Sequence, residues 1–240
     1  MIEIVILNLS TVVKDAELQK AVAAMQKQVS RDFFPLWGVD AKLTFIAGSK
    51  TPPPKKSQML ILDTSDSAEY LGFHDLTSDG YPIGKVFAKS DIEGGSSWTV
   101  TLSHELLEML ANPSINLTVE ADDPHGNSVF YAYEICDAVE GDEFGYEIDG
   151  VKVSNFVTPK YFETFHKGPT QYDFRNLLKK CVPEMLKGGY LSLLKASSGK
   201  GWTQITAREC TPQMRARIGS RRERRRIPRD QWMLSKPLPK

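Results

Sequence analysis

Short apolar segments and one amphipathic segment alternate along the first quarter of the chain. Ile2 to Leu7 and Met59 to Leu62 are continuous apolar runs, the pattern of strands in a covered sheet, and Lys42 to Ile46 is predicted as another strand. Asp15 begins a helical pattern that we expect to end before Pro35. The apolar positions of that pattern are Leu18, Val22, Met25 and Val29. This order of elements predicts a mixed α/β sheet with at least one crossover helix.

A further strand and a longer helix are predicted next. Ile83 to Ala88 alternates, contains glycine and follows the turn-forming segment Asp79 to Pro82, so it is predicted as an edge strand. Trp98 to Leu110 is predicted as a helix with Ser97 as its N-cap. Asn112-Pro113 should end that helix, because the residue before a proline is biased away from helical backbone.

The remaining elements are shorter. Phe130 to Val139 is strand-like, and Val151 to Val157 is predicted as a short strand after a turn. Phe174 to Met185 is predicted as a helix. Tyr190 to Leu194 and Trp202 to Thr206 are expected to pair as a hairpin. We therefore expect one α/β (α+β) domain over residues 1–207, with the sheet and the long helix in 1–112 and a smaller C-terminal part in 113–207.

Charge divides the chain into two parts. The sequence is 41% hydrophobic and 25% charged, as in ordinary globular proteins, and its net charge is zero. Residues 208–240 nevertheless hold 11 Lys/Arg and 3 Asp/Glu, an excess of eight positive charges. Residues 1–207 hold the other 19 basic and 27 acidic residues, a balance of −8. The basic segment 208–240 is predicted to be an extended tail on an acidic body.

Two interpretations of this tail remain open. As a nucleic-acid arm, it would neutralise phosphates without reading sequence. As a docking arm, it would bind an acidic protein surface, in a homo-oligomer or a larger assembly. No apolar run approaches the roughly 18 residues of a membrane helix, and the start lacks the basic residues of a signal peptide. The three cysteines have no metal-site spacing, so we expect a cytoplasmic protein or a virion component.

The candidate chemistry lies in the segment Ser103 to Glu108. On a helix, His104 and Glu108 are four residues apart and project side by side. An imidazole nitrogen and a carboxylate oxygen are good zinc ligands. Glu105, next to the first ligand, can act as a general base. The other side of the helix can pack into a core through Leu102, Leu106, Met109 and Leu110.

This order of elements, ending in His-Glu-x-x-ligand, resembles the zincin metallopeptidases over roughly Ile2 to Phe162. The resemblance implies that His104 is the first metal ligand, that Glu105 is the base, and that Ile83 to Ala88 is an edge strand which pairs with a peptide substrate. Glu108 stands where that family usually has histidine. The chain also resembles a group of uncharacterised bacterial and phage-borne proteins with a His-Glu-x-x-Glu helix and a following Glu-x-x-Asp.

A third ligand is expected from Glu134 or Asp137, because zincins often use one downstream acid as a ligand and another to orient the histidine. The sequence does not rank the two acids, and in a strand they would point to opposite faces. The most direct expectation is a zinc-dependent hydrolase, metallopeptidase-like, acting on a peptide or protein. The alternatives are a catalytically silent zincin-fold adaptor of a large assembly such as a phage particle, and a nucleic-acid-associated protein.

Other polar residues are interpreted as structural. His74, beside Asp75, is predicted to have a structural role, with a position facing the active-site cleft as the alternative. Cys136 is predicted to be a small buried residue. His125 and His166 lie in loop-like contexts. The remaining acids lack calcium-loop spacing and are expected to be solvated: Asp122, Asp123, Glu140, Asp142, Glu143 and Glu147.

Overall fold

The computed structural model describes residues 1–49, 51–65, 71–123, 125–163, 169–195 and 201–207. The predictions made for the basic tail 208–240 and for His166 lie outside these described residues. The described chain is a mixed α/β fold, as the sequence predicted, with several sheets and few helices.

The first sheet is five-stranded, in the order β2-β1-β3-β5-β4. Its strands are β1 (Ile2–Asn8), β2 (Ala41–Phe45), β3 (Ser57–Leu62), β4 (Gly72–Leu76) and β5 (Pro82–Phe87). All neighbours are parallel except β4, which is antiparallel to β5. The predicted strands in this region are confirmed, and β4 was not predicted.

The prediction that Ile83 to Ala88 forms an edge strand is wrong. β5 pairs with β3 on one side and with β4 on the other, so it lies inside the sheet. Within the described part of the chain the edge strands of this sheet are β2 and β4. The sequence of β4 is Gly-Phe-His-Asp-Leu, which lacks the β-branched residues that mark a strand. Because β4 was not predicted, the hairpin that it forms with β5 was missed as well.

Helix α1 (Asp15–Lys27) connects β1 to β2 and contributes Leu18 and Met25 to the core. The prediction that the helical segment ends before Pro35 is wrong in detail. A π-helical segment, Gln28–Phe33, continues into a last turn, α2 (Phe34–Trp37). Pro35 lies in the first turn of α2, directly after the π-helical segment, so this proline does not end the helical path.

After β5 the chain forms α3 (Ala88–Glu93) and then α4 (Trp98–Ala111), which confirms the predicted long helix. Eleven consecutive residues of α4, from Val100 to Leu110, are buried. The four leucine and methionine residues expected in the core are among them. A single core cluster includes residues from both 1–112 and 113–207, so α4 is packed on all sides and its polar side chains are held in fixed positions.

The second half forms two further sheets. One contains β6 (Thr118–Asp122), β7 (Ser128–Ala132), β10 (Tyr190–Lys195) and β11 (Thr203–Thr206), in the order β11-β10-β7-β6 with antiparallel neighbours. The other pairs β8 (Tyr146–Ile148) with β9 (Val151–Val153). The predicted hairpin is confirmed as β10 and β11. The predicted strands Phe130 to Val139 and Val151 to Val157 are shorter than expected, because β7 ends at Ala132 and β9 at Val153.

The prediction of a helix over Phe174 to Met185 is wrong. The carboxylate of Asp173 accepts hydrogen bonds from the backbone N–H groups of Arg175, Leu177 and Leu178 at 2.7 to 3.1 Å. These bonds satisfy the donors locally, so the segment forms turns instead of a helix. Among the described residues, no helix combines the length and the apolar character needed to cross a bilayer.

Candidate metal centre

Helix α4 is fixed at both ends by polar contacts. Ser97 occupies the N-cap position as predicted, but its side chain does not cap the helix. Its backbone N–H instead donates to Oδ2 of Asp142 at 2.9 Å. Beyond the last turn, Oδ1 of Asn112 accepts hydrogen bonds from the backbone N–H groups of Asn116 and Leu117 at 3.1 and 3.2 Å. The helix therefore keeps one position relative to the segment that follows it.

The middle of α4 is fixed by Ser103, which is fully buried. Its hydroxyl donates to Oε1 of Gln28 at 2.8 Å and accepts from the backbone N–H of Ser154 at 3.0 Å. The amide nitrogen of Gln28 donates to the carbonyl of Ser154 at 2.9 Å. This closed network sets the rotation of the helix about its axis, and with it the direction of the neighbouring His104.

A first group of three ligand-type atoms surrounds His104. Its Nε2 lies 3.2 Å from Oε1 of Glu108 and 3.1 Å from Oδ1 of Asp137. Asp137 begins a 3-10 turn after β7, so it approaches α4 from the second half of the chain. All three side chains are buried. The structure thus brings together the predicted His104 and Glu108 with one of the two predicted downstream acids.

A second group surrounds His74, on β4. Its Nδ1 lies 3.3 Å from Oε2 of Glu105 and 3.6 Å from Oε2 of Glu108. Its Nε2 lies 3.9 Å from Oε2 of Glu134. The His74 side chain is fully buried, and the closeness of Gly72 to α4 explains how it reaches this position. A Cβ on Gly72 would lie 2.7 Å from Cγ2 of Thr101 and 3.0 Å from Cγ of Glu105, so β4 runs directly over the helix.

Glu108 belongs to both groups. Its Oε1 faces His104 and its Oε2 faces His74. The backbone N–H of Cys136 also donates to Oε1 at 3.2 Å. This bond attaches the backbone between Glu134 and Asp137 to α4. Both of these carboxylates face the helix.

The electrostatics of the site follow from this burial. Burial alone would lower the pKa of His104, but the carboxylates of Glu108 and Asp137 outweigh that effect and hold its pKa well above the ordinary value. Burial and the same two carboxylates raise the pKa of the Cys136 thiol, which is therefore neutral. Cys136 is a buried small residue, in agreement with the prediction.

These contacts make two sets of residues that could hold a metal ion. One is His104, Glu108 and Asp137, and the other is His74, Glu108 and Glu134. Within each set, one ligand atom per residue can be chosen so that all lie within 4.8 Å of one another. Of the predicted metal site, the coarser part is confirmed: the described residues include buried groups of histidine and acidic residues that could bind a metal ion.

Two features of this centre were not predicted from the sequence. One is the contact between Glu105 and His74. The other is the conformation of the segment after β7: in a strand Glu134 and Asp137 would point to opposite faces, but the chain leaves the strand at Ala132 and both acids face the centre. The only sequence signal for His74 was its spacing: Gly72, His74 and Leu76 are two positions apart, so in a strand they would lie on one face.

Two acids that we expected to be solvated have structural partners. Asp142 binds the N-terminus of α4, and burial raises its pKa despite the hydrogen bond from Ser97. Asp123 accepts hydrogen bonds from the backbone N–H groups of His125 and Asn127, which help to lower its pKa to about 2. Both carboxylates lie outside the metal-binding sets. His125 is exposed and also lies outside them.

In comparisons with known proteins, this chain matches no family model, no curated protein and no solved structure at a significant level.

Proposed function

We propose that the protein is a zinc-dependent hydrolase of the zincin kind, with His104, Glu108 and Asp137 as zinc ligands and a peptide or protein as substrate. One observation carries the proposal. Nε2 of His104 lies 3.1 and 3.2 Å from carboxylate oxygens of two residues that come from different parts of the chain. Helix α4 alone would supply only the pair His104 and Glu108. The third ligand, Asp137, comes from the second half of the chain.

The residues fit zinc in kind and in spacing. Zinc binds imidazole nitrogen and carboxylate oxygen at about 2.0 to 2.2 Å, so neighbouring ligands of a tetrahedral site lie roughly 3.3 Å apart. The separations around His104, 3.1 and 3.2 Å, are close to that value. Three protein ligands leave the open fourth position that a catalytic site needs.

We assign the role of the base to Glu105. A bound zinc ion would supply Lewis acidity, lowering the pKa of a coordinated water and polarising a substrate carbonyl. Glu105 follows the first ligand on α4, and its carboxylate can accept a proton from the attacking water and later donate it to the leaving group. His74, 3.3 Å from Oε2 of Glu105, holds that carboxylate in one orientation. Substrate pairing along Ile83 to Ala88 is not part of this proposal, because β5 is flanked on both sides.

A second candidate function is supported by the burial of the site. His104 is 4% exposed, Glu105 2% and Asp137 2%, and structural zinc sites are closed whereas catalytic sites keep an open position. In this alternative the metal stabilises a catalytically silent scaffold, an adaptor of a larger assembly that docks through residues 208–240. The alternative shares the ligands of the first proposal and differs from it in the role of Glu105.

The experiment measures metal content and peptide cleavage for the same samples. Elemental analysis is expected to find zinc in the wild type and in Glu105→Gln. Cleavage of a complex peptide mixture, followed by mass spectrometry, is expected in the wild type and should fall by about 10² to 10⁴-fold in Glu105→Gln, because the amide cannot accept the proton. Glu147→Gln, on the exposed face of β8, is the matched control and should behave as the wild type.

Each outcome has a distinct meaning. Zinc without cleavage in any sample would favour the scaffold and overturn the hydrolase. Cleavage that Glu105→Gln leaves unchanged would remove Glu105 from the mechanism. Absence of metal from protein purified without chelator, and failure to take up added zinc, would overturn both functions.

A further inference from the structure

We propose that this centre binds two divalent cations, bridged by the carboxylate of Glu108. His104 and Asp137 complete one site, and His74 and Glu134 complete the other. The first site is the zinc site of the proposed function, on which this inference rests, and the second is additional.

The two oxygens of Glu108 are already divided between the two histidines. Oε1 lies 3.2 Å from Nε2 of His104, and Oε2 lies 3.6 Å from Nδ1 of His74. A carboxylate that faces one imidazole with each oxygen has the arrangement of a bridging ligand. Two-metal sites in hydrolytic enzymes hold their ions about 3.5 to 4 Å apart, a separation that one carboxylate can span.

The downstream acids are divided in the same way. Oδ1 of Asp137 lies 3.1 Å from Nε2 of His104, and Oε2 of Glu134 lies 3.9 Å from Nε2 of His74. Between them, Ile135 and Cys136 are fully buried and fix the backbone. The carbonyl of Ile135 accepts from the N–H of Val157 at 2.7 Å, and the N–H of Cys136 donates to Glu108. On His104 the shared acid and Asp137 face the same nitrogen, Nε2, whereas on His74 the shared acid faces Nδ1 and Glu134 faces Nε2. One ligand atom from each of His74, Glu108 and Glu134 can still be chosen so that all three lie within 4.8 Å of one another.

The burial of the acids supports metal binding at both sites. Four carboxylates converge here and none is more than 6% exposed: Glu105, Glu108, Glu134 and Asp137. Buried carboxylates are usually paired, hydrogen-bonded or bound to metal. Glu134 and Asp137 face different histidines, so each of the two can bind a separate cation.

The ligand set also indicates which ions fit. Oxygen ligands outnumber nitrogen ligands and no thiolate takes part, so the pair of sites should accept Mn²⁺ as well as Zn²⁺. Mn²⁺ provides a probe that is independent of activity, because two Mn²⁺ ions at bridged distance couple magnetically and change the electron paramagnetic resonance spectrum.

The experiment counts ions bound to chelator-treated full-length protein. Zn²⁺ is titrated by calorimetry, bound metal is measured after gel filtration, and the Mn²⁺-loaded protein is examined for spin coupling. Two Zn²⁺ per chain and a coupled Mn²⁺ spectrum are expected for the wild type. His74→Gln and Glu134→Gln should each bind one Zn²⁺ and lose the coupling, and Glu147→Gln should bind two. Thermal melts in chelator show whether each variant is folded, and Glu134→Gln serves if His74→Gln is not.

The outcomes separate this inference from the proposed function. One Zn²⁺ per wild-type chain, lost in His104→Ala and kept in His74→Gln, would overturn the second site and leave the first intact. Two Zn²⁺ that persist in both His74→Gln and Glu134→Gln would place the second ion elsewhere and overturn the assignment. No binding by the wild type would overturn the pair of sites together with the zinc-dependent function.

Discussion

Nε2 of His104 lies 3.1 Å from Oδ1 of Asp137, although 33 positions separate the two residues in the chain. The contact joins the middle of α4 to the 3-10 turn that follows β7. A helix and a turn from different halves of the chain thus supply atoms to one buried centre. The fold, and not the helix motif by itself, completes the first metal-binding set.

The contact predicts that Asp137→Asn weakens zinc binding. The amide oxygen is neutral and is a poorer ligand than the carboxylate. Loss of a group that only supports a ligand typically lowers metal affinity by about 10 to 100-fold. For loss of a ligand we therefore expect metal affinity to fall by at least about 100-fold. Competition against a chromophoric chelator measures the affinity. Asp122→Asn, an exposed change of the same kind on β6, is the control. Equal affinities for the two variants would show that Asp137 is not a ligand.

The helix motif could be found in the sequence because its signal is local. The spacing of His104 and Glu108 defines one helical face, and the apolar residues around them define the rest of α4. The roles of Glu134 and Asp137 could not be ranked, because they depend on where β7 ends. The strand stops at Ala132, and the irregular backbone beyond it lets both acids face α4.

His74 illustrates the part of the site that the sequence did not reveal. Its strand has no run of β-branched residues, so neither the strand nor its hairpin with β5 was predicted. Its approach to the centre depends on packing between Gly72 and α4, which no local pattern contains. The missed strand β4 also explains the wrong assignment of β5 as an edge strand.

Gly72 is predicted to be essential for the close approach of β4 to α4. In Gly72→Ala the added Cβ would lie 2.7 Å from Cγ2 of Thr101, so the strand or the helix must shift. Such overpacking typically costs about 1 to 3 kcal/mol, which chemical unfolding would measure. Thr101→Ser removes that methyl group and retains a hydroxyl for the bond to Asp91. The double variant should recover part of the lost stability, and purely additive effects would contradict the proposed clash.

Ser103 is predicted to stabilise the fold through its two hydrogen bonds. Ser103→Ala leaves Oε1 of Gln28 and the backbone N–H of Ser154 without this partner in a buried region, which should cost about 1 to 3 kcal/mol. Urea unfolding in the presence of chelator measures the loss without a contribution from metal. Ser78→Ala, at an exposed position, should change the free energy of unfolding by no more than about 0.5 kcal/mol. A similar small change in Ser103→Ala would show that the network does not hold the helix.

Asp63, just beyond β3, binds the loop between β1 and α1. Its Oδ1 accepts hydrogen bonds from the Ser10 hydroxyl at 2.6 Å and the Thr11 N–H at 2.8 Å. Its Oδ2 accepts from the Thr11 hydroxyl at 2.6 Å. Burial acts to raise the pKa of Asp63, but these hydrogen bonds outweigh it and lower the pKa below the ordinary 3.8. The ionised carboxylate therefore stabilises the folded state.

Asp63→Asn should lower the free energy of unfolding by about 1 kcal/mol at neutral pH. The amide can keep only some of the hydrogen bonds to Ser10 and Thr11, and solvent screening limits the stabilisation that is lost with the others. The folded-state pKa lies below the unfolded value of 3.8, so the wild-type advantage is complete above that value and disappears as pH falls through the folded pKa. Urea unfolding between pH 7 and pH 3 follows the difference between the two proteins, with the exposed change Asp79→Asn as control. A difference that stays constant down to pH 3 would mean that the charge of Asp63 does not contribute, and that only the shape of its side chain matters.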